Sequence, residues 1–381
     1  MKILFITRHY LDQMLGGPNC SKAFVRAFAD ISSRMSLIYP EHNNKQTCLS
    51  FLNGNKNIDF YPVYDRRSRL KKCIDMYRGQ MHRFGHFVKK HLQTNKYDII
   101  IIDHSFTASS GVLESSLLNG AKIITIHHNV ERQYIKDNPM NLLYRIPYEF
   151  YALKAERISI LNSDINLTLT ESDRTAFCMA YPQKKNTFHS VGVFEYEDEC
   201  SIGQSNEERP FFVISGSMDA IQTETSVLRF LKEYMPVLNN ICPQAKVVVS
   251  GRNPSKLIFL AASHWNNVKI VPNPENLTEE IAKGNYYICP IDTGGGLKLR
   301  CMDALRVGLP VLAHKLSTRG YESIMEGGYM FSYSTKEEFA EGLRRILNLK
   351  NSHPDVVKCF HMYFSYPAGK MRIERVLESL T

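Results

Sequence analysis

Apolar residues in this chain come in short runs separated by longer stretches of helical period. Runs at Ile3–Thr7, Ser36–Tyr39, Ile99–Asp103, Lys122–His127 and Ile165–Thr170 predict strands in the first half. Phe211–Ser215, Lys246–Ser250, Lys269–Val271, Tyr286–Pro290 and Pro310–Ala313 predict strands in the second. Between them, Cys20–Ser33, Leu142–Asn162, Thr225–Leu238, Leu299–Val307 and Lys336–Leu347 have the spacing of helices. Strand–helix alternation at this spacing implies parallel sheets covered on both faces, an α/β class. The scheme starts twice, and the polar, acidic stretch Asp198 to Arg209 separates the two halves. The expected organisation is two Rossmann-like domains, 1–200 and 210–362, facing each other across a cleft. A last helix, from 363 to 381, has Ile373, Val376, Leu377 and Leu380 as its apolar positions.

Composition narrows the class. At 381 residues with 44% hydrophobic side chains, the chain can build two cores, so it is not a disordered protein. No apolar run approaches the ~20 residues that span a bilayer. The first run meets Arg8 and His9 too early for the apolar part of a signal peptide and reads as a buried strand. Nine cysteines, scattered and without a C-x-x-C pair, argue against a zinc site or a disulfide framework and for a cytoplasmic protein.

The net charge of +9 is concentrated. Between Asp65 and Lys96 lie ten Lys or Arg against two Asp, together with an apolar stripe of Leu70, Ile74, Tyr77, Met81, Phe84 and Val88. Such a segment suits a solvated helix packed by its apolar side, or a patch resting on anionic lipid at the inner face of the membrane. Nucleic acid is the poorest partner, because the charge comes with no recognition helix or aromatic platform.

In open α/β sheets ligands sit beyond the carboxyl ends of the strands. After the first strand comes Gly16-Gly17-Pro18-Asn19, where two glycines let backbone approach a ligand. The pattern is not G-x-G-x-x-G, which speaks against a nicotinamide cofactor. The most informative segment is Asp292-Thr293-Gly294-Gly295-Gly296-Leu297-Lys298-Leu299-Arg300-Cys301-Met302-Asp303. Three glycines followed by two cations form a cradle for a diphosphate: bare N–H groups, a point charge on Lys298 and a planar fork on Arg300. Asp303, one turn on, can accept hydrogen bonds from ribose hydroxyls.

This segment, continued by Asp303-Ala304-Leu305 and Gly308-Leu309-Pro310-Val311-Leu312, resembles the donor-binding segment of GT-B-fold glycosyltransferases. It is most similar to the large retaining family numbered 4. The likeness extends along the chain through Gly16-Gly17, His127-His128-Asn129-Val130-Glu131 and Thr170-Glu171-Ser172-Asp173. It continues through the strand and turn Phe212–Met218 and through Val249-Ser250-Gly251-Arg252.

The resemblance implies a retaining transfer of a sugar from a nucleotide diphosphate to a glycan or lipid-linked acceptor, in the synthesis of surface polysaccharide. It implies UDP or GDP as the carrier and no cofactor or obligatory metal; the chain also lacks a D-x-D segment. Lys298 and Arg300 would stabilise the leaving diphosphate. Gly16, Gly17, Gly216, Arg252, Gly294, Gly295, Gly296, Leu297 and Asp303 would line the donor. His127 and His128 would bear on catalysis, and Asn129 and Glu131 would lie on the acceptor side. By strand alternation only one of the two histidines can face the cleft. The last helix would cross back onto the first domain.

One departure stands out. Many members carry two glutamates separated by seven residues; here Gly295 takes the first position and Asp303 the second. The alternatives are a nucleotide-sugar epimerase of the same fold and a binding module without activity, the latter kept open by this departure.

Overall fold

The computed structural model describes the chain except residues 14–15, 42–48, 53, 65–67, 69, 72–73, 75–83, 111–119, 139–140, 197–208, 295, 350–351 and 381. The separating stretch 198–209 therefore lies almost wholly outside the described residues, as does most of the basic segment 65–96. The chain divides into two compact units, Met1–Asp198 with Ser365–Thr381, and Glu199–Phe364.

The first unit is built on seven strands: β1 (Lys2–Thr7), β2 (Arg34–Glu41), β3 (Ile58–Tyr64), β4 (Ile99–Asp103), β5 (Lys122–His127), β6 (Ile165–Thr168) and β7 (Phe188–Ser190). They form one parallel sheet in the order β3-β2-β1-β4-β5-β6-β7. The interior strands are continuous apolar runs because helices cover both faces: all five residues of β4 are buried. The pattern along the chain missed β3, whose Asp59 and Pro62 break the apolar run. An edge position tolerates both, and β3 is an edge strand. It also missed the three-residue β7.

The second unit repeats the plan with β8 (Phe211–Ser217), β9 (Lys246–Arg252), β10 (Val268–Pro272), β11 (Tyr286–Cys289), β12 (Val311–His314) and β13 (Met330–Tyr333), in the order β10-β9-β8-β11-β12-β13. Its core joins Phe212, Ile214, Val247 and Val249 of the strands to Phe230, Leu231, Met235 and Leu238 of a covering helix. That helix, expected as the single run Thr225–Leu238, is interrupted by a π-turn at Phe230–Tyr234. Pro236 provides no N–H for the ladder, and Met235 N–H reaches back to Phe230 O instead.

The expected last helix starts at Tyr366, and a separate helix precedes it. His353–Phe364 stays with the second unit, and Tyr366–Glu378 belongs to the first. Ser365 makes the break, its side chain accepting from Ala368 N–H as the cap of the second helix. Tyr366 hydrogen-bonds Asp30, and Arg372 Nε donates to Val191 O at 2.6 Å. Gly369 lies so close to Phe194 that a Cβ would stand 2.0 Å from the ring. Among the described residues no helix is long and apolar enough to cross a membrane.

Candidate functional site

In each sheet the strand order reverses at one point, between β1 and β4 and between β8 and β11. The carboxyl ends of those strands are where an open α/β sheet receives its ligand.

In the second unit this point gathers the glycine-rich segment. Gly216 and Gly251 are register partners at the ends of β8 and β9. A Cβ on Gly251 would fall 1.8 Å from Gly216 O, so the two strand ends touch backbone to backbone. Gly216 itself has φ +146°. It faces Arg300, whose Nη1 donates to Ser215 O and Nη2 to Thr223 Oγ1, both at 3.1 Å. The guanidinium is thereby folded back over the end of β8.

Gly294 is buried with φ +80°, and a Cβ there would collide with Gln222 at 2.3 Å. Lys298 Nζ donates to Gly294 O at 3.1 Å, and Tyr321 Oη donates to Lys298 O at 2.9 Å. Burial, with the nearby Arg300 charge, lowers the Lys298 ammonium to about 8. The site thus gathers two cations, one of them held near the loss of its proton, and a diphosphate would favour the charged form.

Asp303 sits half-buried in the first turn of the helix Arg300–Arg306, and Leu297 is half-buried before it. Gly296, exposed with φ +75°, completes the loop; Gly295 lies outside the described residues. Arg252 is exposed at the end of β9, where its Nη2 donates to Ser217 Oγ at 3.0 Å.

In the first unit the strand ends converge on Asp103, fully buried at the end of β4 opposite Thr7 of β1. Thr7 Oγ1 and Ser21 Oγ both donate to its Oδ2, at 2.6 and 2.5 Å. His128 Nε2 lies 2.6 Å from its Oδ1. An ionised carboxylate only accepts, so His128 gives its Nε2–H to Asp103. Burial opposes the Asp103 charge, but His128, His9 and Ser21 together outweigh it and hold the carboxyl at about 2.

Ser21 spends its hydrogen on Asp103 and accepts from His9 Nδ1 at 2.7 Å. Burial lowers His9 to about 3, so this ring is neutral. Its other edge lies against Gly17, where a Cβ would stand 3.0 Å from Nε2. Gly17 therefore seats a side chain of the network, while Gly16 is exposed at the start of the helix Gly16–Ile31.

The structure separates the paired residues of the H-N-V-E segment. His128 joins Asp103, whereas His127 points into the core, its ring 4.9 Å from Phe177 and its Nε2 2.9 Å from Asn166 Oδ1. Burial lowers it to about 4, and we correct its expected catalytic role to packing. Glu131 is 1% exposed, which places it beneath the surface and not on an acceptor-facing one, a second correction. Its N–H donates to Glu156 Oε2 at 2.8 Å. Burial and the neighbouring carboxyl raise Glu131 to about 8, and burial raises Glu156 to about 7. His104, in the left-handed region at φ +75°, places Nε2 3.7 Å from Glu131 Oε1. Asn129 is half-buried just past β5.

Asp103, Ser21, Thr7 and His9 were not among the expected site residues. A signal was present: three apolar strands each run into a histidine, at Arg8-His9, Asp103-His104 and His127-His128. Polar residues at the ends of neighbouring strands become neighbours only once the strand order is known.

Residues 209–349 match the family model described as Glycosyl transferases group 1. No curated protein matches the chain. Among solved structures, Anabaena Alr3699/HepE in complex with UDP and glucose is similar, with a TM-score of 0.67, 12% identity and full coverage of both chains. The lipopolysaccharide outer core galactosyltransferase WaaB gives 0.66 at 12% identity, again over 100% of each chain. The pneumococcal O-GlcNAc transferase GtfA, in complex with UDP and GlcNAc, gives 0.63 at 12%, over 100% of this chain and 99% of that one. At such identity these likenesses establish the shared fold.

Proposed function

We propose that the chain, which carries a match to the group 1 glycosyl transferase model over residues 209–349, is a glycosyltransferase that moves a sugar with retention from a uridine diphosphate carrier to a glycan or lipid-linked acceptor. The observation that carries this reading is the folding of Arg300 and Lys298 over the glycines at the ends of β8 and β11. UDP in the HepE and GtfA complexes supports the choice of base.

The reaction breaks the bond between the anomeric carbon and the diphosphate oxygen. Negative charge gathers on that oxygen as the bond lengthens, and the Lys298 ammonium and Arg300 guanidinium, already in place, stabilise it. The N–H groups of the Gly294–Gly296 loop hold phosphate oxygens, and the Asp303 carboxylate accepts from the ribose. Retention follows when the acceptor hydroxyl attacks from the face the diphosphate leaves and its proton passes to the departing phosphate oxygen. The chain then supplies charge and orientation, and needs neither a nucleophile nor a metal for this step. In the first unit, His128, fixed by Asp103, is the residue we assign to orienting the acceptor.

We place the enzyme in the cytoplasm at the inner membrane face, working in surface polysaccharide synthesis. The basic segment 65–96 would hold it on anionic lipid, at about 1 kcal/mol per cation. In the same unit Leu142, Ile146 and Phe150 stand exposed at 67%, 61% and 68%, one helical turn apart. Neutralising Arg66, Arg67, Lys71 and Lys72 should abolish sedimentation with anionic liposomes; unchanged sedimentation would refute the attachment.

The donor reading is tested by thermal shifts with UDP, GDP, ADP, TDP and CMP. A ligand at about 100 times its dissociation constant stabilises by roughly 2.7 kcal/mol. We expect a selective UDP shift that disappears in Lys298→Ala with Arg300→Ala. No shift with any nucleotide would reduce the glycine loop to a turn.

A further inference from the structure

A polar concavity lies within the C-terminal unit, apart from the residues assigned to the donor. It has a volume of about 330 Å³ and is lined by Ser226, Arg229, Glu233, Tyr234, Pro290, Asp292, His314, Tyr333 and Ser334. It is floored by the ends of β11, β12 and β13 and walled by the helix that carries the π-turn. That volume falls at the lower end of small-ligand sites and would hold roughly ten waters at about 30 Å³ each, more than structural water alone requires.

The lining side chains, Pro290 aside, all carry a hydrogen-bonding group. Asp292 is held by an ion pair with Arg229 and accepts from Ser226 Oγ at 2.9 Å. His314 Nδ1 accepts from Leu316 N–H at 3.3 Å, which leaves the neutral ring presenting an Nε2–H. Tyr333 is 1% exposed and its hydroxyl has no hydrogen-bond partner among the described residues. An unpaired buried hydroxyl carries a desolvation cost that a ligand can offset. Arg229, Glu233 and Tyr234 are presented on and beside the π-turn, an irregularity frequent at functional sites.

The charges select the ligand. One cation faces two carboxylates, so a phosphate or other anion would be repelled, and the scarcity of carbon in the walls gives nothing to a lipid or an aromatic ring. Groups that both donate and accept satisfy such a wall, and a sugar has them on successive carbons. We propose that this cavity is a carbohydrate subsite, distinct from the donor loop, that takes a sugar residue by its hydroxyls. Asp292 stands two residues before Gly294, so a sugar seated here touches the loop that carries Lys298. The subsite is argued from its own lining and stands whether or not UDP is the donor carrier.

The test is hydrogen exchange of the full chain with methyl glycosides of glucose, galactose and N-acetylglucosamine. They are used at about 10 mM, tenfold above a millimolar dissociation constant, with UDP present throughout. We expect at least one glycoside to protect the segments 226–234, 312–316 and 333–335. Affinity should fall about tenfold in Tyr333→Phe and protection should vanish in Arg229→Ala. Tyr333→Phe removes only an unpartnered hydroxyl, so its melting temperature should hold or rise. The UDP shift should survive in both variants, and its own loss in Lys298→Ala with Arg300→Ala should leave glycoside protection intact. Protection by none of the glycosides, protection that Arg229→Ala and Tyr333→Phe leave unchanged, or displacement of the sugar by inorganic phosphate would each overturn the proposal.

Discussion

Gly216 leaves the space that the Arg300 guanidinium fills: a Cβ on it would lie 2.6 Å from Nη1. The arginine is therefore positioned by the absence of a side chain at the end of the neighbouring strand β8, and its hydrogen bonds to Ser215 and Thr223 keep it there. Gly216→Ala must displace the guanidinium, in a backbone conformation with φ +146° that costs a side chain about 1–3 kcal/mol. UDP affinity should fall at least about tenfold, with the far-ultraviolet spectrum unchanged. Titration calorimetry decides this, and wild-type affinity would show that Arg300 does not meet the phosphates.

Lys298, lowered to about 8 by its burial, carries its charge below that value and loses it above. Donor affinity should therefore be flat on the acid side and decline as pH rises through about 8, because a diphosphate binds the ammonium and not the amine. Lys298→Arg keeps the charge throughout and should abolish the decline. The pH dependence of the UDP dissociation constant measures both.

Asp103 accepts three hydrogen bonds while fully buried in the first unit. Asp103→Asn preserves its shape but turns a donor towards groups that already donate, a loss of about 1–3 kcal/mol in denaturant unfolding. It also frees the His128 ring. We expect UDP release from UDP-sugar in the presence of acceptor to drop by at least about tenfold while UDP binding is unchanged. An equal loss of UDP binding would argue for general unfolding instead of misplaced His128.

Glu131 and Glu156 have carboxyls raised to about 8 and about 7, so the folded chain holds protons that the unfolded chain releases near 4.5. Their stabilising contribution is complete at acid pH and is lost as pH rises from about 5 to about 8, a change on the order of a few kcal/mol. The melting temperature should fall over that range. Glu156→Gln, which still accepts from Glu131 N–H, should flatten the slope; an unchanged slope would mean that the pair is ionised in the fold.

The alternation of apolar runs and helical stretches was enough to establish two parallel α/β halves, because a strand buried on both faces must be apolar throughout. It was also enough to mark the Gly294–Arg300 segment, since glycines and cations adjacent in sequence remain adjacent in space. Edge strands escaped it: β3 carries a charge and a proline that an edge tolerates, β7 is three residues long and β13 four. The break at Ser365 escaped it as well, since a capping serine before proline interrupts a helix without interrupting its apolar pattern.

Tertiary structure alone decided which histidine serves the strand ends. His127 and His128 are chemically alike, and alternation says only that they diverge; the packing of Phe177 and Phe188 around one side of β5 settles that His127 is the core residue. Asp103 likewise became a site residue only through the strand order, which brings Thr7, Ser21 and His128 to it from three segments of the chain. Local chemistry is written in the order of residues. Convergence of distant ones depends on register and burial, which no single segment carries.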